Sequence, residues 1–201
     1  MFTVTALKPQ KNKKKVNVYL NGEFAFAINL DNLVKFKLKV KNKYTDEDIN
    51  KIIHEVNLSD ICNKLIKFAV LRPRSEQEIS NWLKRKKVSQ KTSQELFNKL
   101  KRLGLLNDKN FAKWWIEQRV QFKAKSKKEI KYELMQKGIN KNIIEESLHD
   151  FNVDEFVLAK KVLTKYKYNN SPQKSFAYLA RKGFDFETIK KVIKDKKQFE
   201  D

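Results

Sequence analysis

Cysteine and histidine are nearly missing from this 201-residue sequence, and their scarcity removes several classes of site. Cys62 is the single cysteine, so the chain forms no intrachain disulfide and no metal cluster of several thiolates. Because Cys62 lies between Ile61 and Leu65 in an apolar helical pattern, we expect a buried and unreactive thiol. The two histidines, His54 and His149, each lie in a helical segment without a nearby set of ligands. A metal site and a histidine-based triad are therefore not expected.

Glycine and long apolar runs are scarce as well. The four glycines stand alone in the sequence, at Gly22, Gly104, Gly138 and Gly183. They cannot form a glycine-rich phosphate loop of the Walker or dinucleotide type, and we expect no cofactor. Apolar runs such as 24–28 and 68–71 are far shorter than the roughly 20 residues that span a bilayer. The N-terminus lacks the pattern of a signal peptide, so we expect a cytoplasmic protein that makes no membrane contact.

Positive charge is what the sequence has in excess. Apolar residues make up 40% of the chain, enough for a core, while 45 Lys and Arg face 24 Asp and Glu, a formal net charge of +21. Such a surplus calls for a polyanionic partner: nucleic acid, an acidic protein surface or, least consistent with the short apolar runs, anionic lipid. The excess is steepest over residues 57–107, with 12 Lys and Arg against 4 Asp and Glu.

The first thirty residues read as β-structure. Residues 16–20 and 23–28 alternate between apolar and polar, and Asn21-Gly22 between them favours a tight hairpin turn. Residues 2–7 are a candidate third strand.

From Asp31 onward the periodicity becomes helical. Leu33, Phe36 and Val40 predict a short helix, and Thr45 is the expected N-cap of the next one because acidic residues fill the first turn after it.

Beyond residue 57 the pattern is helical throughout, and it repeats. Three serines mark the repeat, at Ser75, Ser126 and Ser171. Eight residues after each serine comes a leucine, at Leu83, Leu134 and Leu179. Twelve residues after each serine come Lys87, Gly138 and Gly183, each followed by an apolar residue. The first unit has about three extra residues, which the alignment puts around Ser89 to Lys91.

Helix capping explains this spacing. A serine at the N-cap satisfies free N–H groups, Ser75-Glu78 and Ser126-Glu129 have capping-box spacing, and Pro172 suits the first helical position. Gly138 and Gly183 fit the left-handed position after a helix C-terminus. Lys87 lacks that glycine, so we expect its helix end to fray or to be shaped differently.

The expected fold is mainly α, with three tandem three-helix repeats in an elongated curved body after a small N-terminal β-hairpin and strand-plus-helix extension. The predicted divisions are the extension over 1–56, repeat 1 over 57–107, repeat 2 over 108–152 and repeat 3 over 153–201. Leucines at periodic positions are expected in the core, at Leu65, Leu83, Leu100, Leu134, Leu148, Leu163 and Leu179.

The motifs of the middle unit resemble those of a known family. Asp108, Phe111, Ala112, Trp115 and Arg119 reproduce the Asp-x-x-Phe-Ala-x-x-Trp-x-x-x-Arg pattern of the RecX family. A basic stretch, a helix with Glu and Leu, and the Lys-Gly-Ile at 137–139 follow in that family's order. Residues 72–75, with Glu78 and Leu83, resemble its first unit, and 181–184 resemble its last. The predicted hairpin, followed by residues 33–36, resembles the N-terminal extension of some members. Lys37 and Lys87 depart from the family, which often has Gly or a shorter turn there.

The resemblance covers essentially the whole chain, and it implies a regulator of the RecA recombinase in homologous recombination, DNA repair and the SOS response. Such a protein would bind the RecA nucleoprotein filament along its groove, as a monomer, and mostly inhibit ATPase activity, filament growth and strand exchange. It would also bind single- or double-stranded DNA weakly, through electrostatic contacts. The family has no known catalytic residues, and we do not expect an enzyme.

The candidate partner- and DNA-binding residues are the cations of the first unit and of the segment around 119–131. They are Arg72, Arg74, Lys84, Arg85, Lys86, Lys87, Arg119, Lys123, Lys125, Lys127, Lys128 and Lys131. One continuous positive surface and two separate patches both fit the sequence. Reversing the charge of Arg72, Arg74 and Arg85 together is the mutational test that the sequence suggests.

Several of these positions have an alternative interpretation. Arg119 fits an ion pair with Glu129 or Glu133 better than a partner contact, and Lys11–Lys15 fits a solvated face. Phe111, Ala112 and Trp115 share a helix face and fit core packing better than base stacking, whereas Trp114 is expected to be partly exposed.

Three classes of function remain for comparison. The first is the filament-binding regulator, and the second is a DNA-binding protein that acts without RecA, of which a helix-turn-helix repressor is a lesser variant. An enzyme is the third and the least supported, because no nucleophile–base pair, metal cluster or acidic dyad is found.

Overall fold

The computed structural model describes residues 1–166 and 171–198. The chain divides into two compact parts, Met1–Phe68 and Ala69–Asp201. The first part contains a four-stranded antiparallel sheet in the order β3-β2-β1-β4. Its elements are β1 (Phe2–Pro9), β2 (Lys15–Leu20), β3 (Glu23–Asn29), α1 (Leu30–Lys35), β4 (Lys43–Tyr44) and α2 (Asp46–Val70). Buried apolar residues of the strands pack with those of α2 and with Leu38, which lies between α1 and β4. The strand and α2 residues of this core are Val4, Val16, Val18, Leu20, Phe26, Ile28, Ile49, Ile52 and Val56.

The predicted hairpin and its third strand are both confirmed. Asn21 and Gly22 have φ values of 51° and 93°, the positive angles that a two-residue hairpin turn requires. Strand β1 holds the turn in place, because the Thr3 N–H donates to the Asn21 side-chain oxygen (2.8 Å) and the Gly22 N–H donates to the Thr5 hydroxyl (3.0 Å).

The helices of the first part begin as predicted, but the first one ends early. Helix α1 stops at Lys35 because Lys37 adopts a left-handed backbone (φ 49°). The prediction that the helix includes Val40 is therefore wrong. Thr45 is confirmed as the cap of α2: its hydroxyl accepts from the Asp48 N–H (3.1 Å), and the Asp48 carboxylate accepts from the Thr45 N–H (3.1 Å). Helix α2 then runs unbroken for 25 residues, so the predicted division between residues 56 and 57 lies within it.

The second part is helical in the residues that the structure describes. Its helices are α3 (Glu76–Arg85), α4 (Gln90–Arg102), α5 (Asp108–Lys123), α6 (Lys127–Gln136), α7 (Lys141–Asp150), α8 (Glu155–Leu163), α9 (Pro172–Arg181) and α10 (Phe186–Gln198). Helices α5–α7 and α8–α10 repeat one three-helix order, and α3–α4 correspond to the last two helices of each set.

All seven leucines predicted for the core are buried, as are Cys62, Phe111, Ala112 and Trp115.

One detail of the repeat was predicted wrongly. The end of α3 is not frayed: Lys87 takes the left-handed backbone (φ 54°) without glycine, and the Val88 N–H bonds the Leu83 carbonyl (3.2 Å). The extra residues of the first unit lie in the first part of α4, which begins at Gln90, close to the predicted position at Ser89 to Lys91. They lengthen α4 to 13 residues, against 10 in α7.

Candidate nucleic-acid interface

Helices α3, α6 and α9 are the second, or middle, helices of the three repeat units. They meet end to end at two junctions, the first between α3 and α6 and the second between α6 and α9. Ser75, the N-cap of α3, accepts a hydrogen bond from the Glu78 N–H (3.1 Å) and donates its hydroxyl to the carbonyl of Lys137, the C-cap of α6 (2.8 Å). Ser126, the N-cap of α6, likewise donates to the carbonyl of Lys182, the C-cap of α9 (2.7 Å). Both serines are buried. The residues that mark the repeat in sequence therefore also join its helices.

A carboxylate adds a second bond at each of these junctions. The Glu76 N–H donates to the Asp108 carboxylate (2.8 Å), and the Lys127 N–H donates to that of Glu155 (2.9 Å). Asp108 is the first residue of α5, and Glu155 is the first residue of α8. Burial raises the pKa of Asp108 despite the hydrogen bond it accepts.

The glycines after α6 and α9 allow this close approach. Gly138 and Gly183 have φ values of 78° and 81°, which favour glycine by themselves. A Cβ on Gly138 would also lie 2.7 Å from the Cβ of Gln77, and one on Gly183 would lie 2.9 Å from the hydroxyl of Ser126. Each glycine thus leaves room for the N-terminus of the neighbouring middle helix.

Glu78 collects three cations at the first junction. Arg72 binds both of its carboxylate oxygens (3.0 Å each), Lys137 donates to it (2.9 Å), and a guanidinium nitrogen of Arg74 lies 3.9 Å away. Burial alone would raise the pKa of Glu78, but the hydrogen bonds and charges of Arg72 and Lys137 outweigh it and lower that pKa. Arg72 also lies over the half-buried ring of Trp114, 5.4 Å from its centre.

Glu133 forms a similar centre within α5–α7. It accepts from the indole N–H of Trp115 (2.8 Å) and from Arg119 (2.6 Å), and it is ion-paired with Lys125. The guanidinium of Arg119 stacks 3.9 Å from the centre of the Trp115 ring. Burial would raise the pKa of Glu133, yet the bonds from Lys125, Arg119 and Trp115 lower it. The predicted ion pair between Arg119 and Glu133 is confirmed.

The predicted binding residues therefore divide into paired and exposed cations. Arg72, Arg74, Arg119, Lys125 and Lys131 lie beside carboxylates, Lys131 being paired with Glu145. The side chain of Lys127 is half-buried. Those that extend into solvent are Lys84, Arg85, Lys86, Lys87, Lys123 and Lys128.

Four of these six exposed residues, Lys84 to Lys87, form one group at the C-terminal end of α3. Lys84, Arg85 and Lys87 have no carboxylate partner among the described residues, and Lys86 lies near the ring of Trp82 (5.8 Å). Lys123 and Lys128 lie near the opposite end of the neighbouring helix α6. Because α3 and α6 are each about 15 Å long, a surface that includes both groups would have to run along both helices.

The sequence pattern did not identify the centres of these clusters. The sequence predicts a capping box for Glu78 and, for Glu133, only an ion pair with Arg119. The sequence predicts only a helix end at Lys137, whereas its side chain binds Glu78 and its carbonyl accepts from Ser75. The sequence signal for this role was its position in the Lys-Gly-Ile at the end of α6, the helix end that meets Ser75 of the preceding unit.

Two further findings bear on function. Within the described ranges, none of the helices combines the length and apolar content needed to cross a bilayer. No group of three or more His, Cys, Asp or Glu side chains is placed to hold a metal ion in that same part of the chain.

Two family models match the chain. Residues 107–148, which span α5 to α7, match "RecX, second three-helix domain", and residues 2–45 match "Regulatory protein RecX N-terminal domain". Among curated proteins, the regulatory protein RecX of Clostridium botulinum (strain Eklund 17B / Type B) is 28% identical over 100% of this chain and 99% of its own length. That of Bacillus licheniformis is 32% identical over 96% of this chain and 76% of its own.

Solved structures of similar proteins share the fold. A crystal structure of regulatory protein RecX matches 97% of this chain and 100% of its own, with a TM-score of 0.66 and 25% identity. That of RecX from Lactobacillus salivarius matches 69% of this chain and 95% of its own, with a TM-score of 0.60 and 26% identity.

Proposed function

The chain belongs to the RecX family of regulatory proteins, and we propose on that premise that it binds the RecA nucleoprotein filament and inhibits its ATPase activity, growth and strand exchange. The proposal places it in the cytoplasm as a monomer that contacts both RecA and DNA.

The observation that carries the proposal is the run of four exposed cations, Lys84 to Lys87, at one end of a series of joined helices. Repeated units that are joined end to end offer a long surface to a long partner. Exposed cations supply attraction to the phosphates of such a partner without requiring a particular base sequence.

The division between paired and exposed cations refines the contact set. Cations already bound to Glu78 and Glu133 would have to give up those partners, so we assign the main contacts to Lys84 to Lys87, with Lys123, Lys127 and Lys128 as a second group. Reversing Arg72 and Arg74 is a poor test, because it would place carboxylates beside Glu78 and destabilise the junction.

The first experiment measures the DNA-dependent ATPase of RecA with increasing amounts of the purified protein. Inhibition is expected at concentrations well below that of RecA, because blocking growth at a filament end affects many protomers. Full ATPase activity at a stoichiometric excess of the protein would contradict the proposal.

The contact set is tested by replacing Lys84, Arg85 and Lys86 together with Gln. Losing three phosphate contacts should lower the slope of log affinity against log salt by about 2 to 3, and ATPase inhibition should weaken. Replacing the exposed Lys11, Lys14 and Lys39 with Gln removes the same charge elsewhere and serves as the control. Equal effects of the two triple variants would mean that only the total charge matters.

The alternative is a DNA-binding protein that acts without RecA, and the net charge of +21 favours it. Salt separates the two functions. If ATPase inhibition persists at a salt concentration that abolishes binding to naked DNA, contacts with RecA dominate; if both disappear together, the alternative holds.

A further inference from the structure

An open groove of about 620 Å³ lies between α9 and α10. Its surface is mostly apolar, and its lining residues are Pro172, Gln173, Phe176, Lys190, Ile193 and Lys194. Phe176 and Ile193 border the core of the helical part but are only half-buried. Phe186, which is 59% exposed, extends the apolar surface because its ring meets that of Phe176 edge to face, with 5.6 Å between the centres. Contiguous apolar surface of this kind is typical of a binding site.

The rim of the groove is positive. Lys190 and Lys194 are exposed and lie one helical turn apart on α10, so both stand on the same face of that helix. Neither lysine has a carboxylate partner among the described residues, and no carboxylate from that part of the chain lines the groove. Asp195, the next residue along, is ion-paired with Lys160. Apolar walls beneath two unneutralised cations suit a ligand that combines apolar groups with negative charge.

The second unit has a balanced charge at the same place. In the alignment of the repeats on their marker serines, Lys131 corresponds to Phe176, and Glu145 corresponds to Lys190. Lys131 and Glu145 form an ion pair between α6 and α7. The third unit thus has an aromatic ring and an unpaired cation where the second unit has a neutralised pair. The combination of apolar surface and positive charge is therefore not imposed by the repeat.

The start of α9 is exposed where the starts of α3 and α6 are covered by protein. At α3, the residues after the N-cap pack against Gly138 and the Asp108 carboxylate, and those of α6 bind the Glu155 carboxylate. The residues of α9 in the same positions, Pro172 and Gln173, are exposed and line the groove. This position of the repeat is therefore suited to packing against a protein segment, and in both earlier units the covering segment carries a carboxylate.

We propose that the groove binds an acidic amphipathic segment of another protein, with its apolar side chains between α9 and α10 and its carboxylates at Lys190 and Lys194. Nucleic acid fits less well, because the polar edges of a base would meet apolar walls with only Gln173 to bind them. A second copy of this chain also fits less well, because two chains of net charge +21 repel each other. The inference goes beyond the proposed function, whose contacts are assigned to 84–87 and 123–128, so the failure of either proposal leaves the other intact.

The first test titrates the intact protein with a synthetic peptide of about 15 residues that has leucine at every third or fourth position and glutamate elsewhere. The methyl groups of the isoleucine side chains are followed by NMR. The signals of Ile193 should shift as the peptide is added, whereas those of Ile79, which is buried in α3, should stay in place. Unchanged Ile193 signals at millimolar peptide would refute the groove as a binding site.

Two further ligands separate the effects of shape and charge. A peptide with serine in place of every leucine keeps the carboxylates but loses the apolar groups, so it should bind at least about tenfold more weakly. A single-stranded oligonucleotide should not displace the leucine peptide from the groove. Equal affinity of the two peptides would reduce the groove to a charged surface and overturn the proposal. Displacement by the oligonucleotide would assign the groove to nucleic acid instead.

The second test reverses the charge of the rim with Lys190→Glu and Lys194→Glu in one variant. Both side chains are exposed, so the fold should be kept, which circular dichroism verifies. Affinity for the leucine peptide should fall by about tenfold or more, because two attractive contacts become repulsive. Lys64→Glu with Lys67→Glu makes the same change at exposed residues of α2, outside the groove, and should lower affinity by less than about threefold. Equal losses in the two variants would show that only total charge attracts the peptide, and the proposal would fail.

Discussion

The residue that follows the C-cap of each middle helix adopts a left-handed backbone, and its surroundings determine which side chain it tolerates. Gly138 and Gly183 face Gln77 and Ser126 at distances that exclude a Cβ, whereas Lys87 has the same backbone and is exposed. Left-handed geometry costs a residue other than glycine about 1 to 2 kcal/mol, which the protein accepts at Lys87. Steric exclusion adds to that cost at the two glycines.

Gly138→Ala should therefore destabilise the protein more than Gly104→Ala. Both glycines have positive φ, but a Cβ on Gly104 would meet nothing within 4 Å. Gly104→Ala should cost about 1 to 2 kcal/mol from backbone strain alone. Gly138→Ala should cost a further ~1 to 3 kcal/mol from the clash with Gln77. Urea unfolding at pH 7 measures both values, and equal losses would mean that Gln77 moves aside freely.

At the scale of elements, the three middle helices have the same residue type as N-cap, but these N-caps do not have the same partners. Ser75 and Ser126 are buried, cap their own helices and donate to the C-cap carbonyl of the next middle helix. Ser171 caps α9 and is only partly buried. In α3 and α6 a carboxylate binds the first N–H of the helix, whereas α9 begins with Pro172, which has no N–H. Helix capping thus serves helix-to-helix joining in two of the three cases.

Serine-to-alanine substitutions should separate capping from joining. Ser171→Ala should cost about 1 kcal/mol, the usual loss of an N-cap. Ser75→Ala and Ser126→Ala should each cost a further ~1 to 3 kcal/mol, because a carbonyl of the neighbouring helix loses its donor in a buried place. Thermal unfolding of the three variants tests this order. A loss at Ser171 as large as at Ser75 would contradict the joining role.

At the scale of the whole molecule, the distribution of charge matters more than its sum. The net charge is +21, but Glu78 and Glu133 each hold several cations in half-buried surroundings. These two carboxylates neutralise repulsion that would otherwise build up inside the helical part. The cations left exposed are then available to a polyanion.

Acid should remove this neutralisation. Because the folded pKa of Glu78 and of Glu133 lies below the ordinary value of 4.5, both carboxylates stabilise the protein at neutral pH, and that contribution is lost as the pH falls below 4.5. Glu78→Gln or Glu133→Gln should lower the free energy of unfolding by about 1.5 to 3 kcal/mol at pH 7 and make the decline in acid shallower.

Glu95→Gln is the matched control, since the side chain of Glu95 is exposed. Urea unfolding between pH 3 and pH 7 provides the comparison. If the decline of the two variants in acid is as steep as that of the original protein, the stabilising role of Glu78 and Glu133 is refuted.

Much of the fold could be predicted because its signals are local. The hairpin follows from Asn21-Gly22, and the middle helices follow from serine and glycine positions whose capping chemistry involves only nearby backbone. Buried leucines follow from helical periodicity. Strand β4 was missed because 2 residues are too few to show alternation. The early end of α1 and the intact end of α3 were missed because lysine carries no signal for a left-handed backbone.

Membership of the RecX family, the helical repeat and the positive charge were determined by the sequence alone, since each depends on residue types and their spacing. Which cations are exposed was decided only by the tertiary structure. Lys137 reaches Glu78 across 59 positions, and Arg119 reaches Glu133 across 14. Every lysine and arginine carries the same charge in a sequence, but a carboxylate brought close by folding determines whether that charge is neutralised or left for a partner.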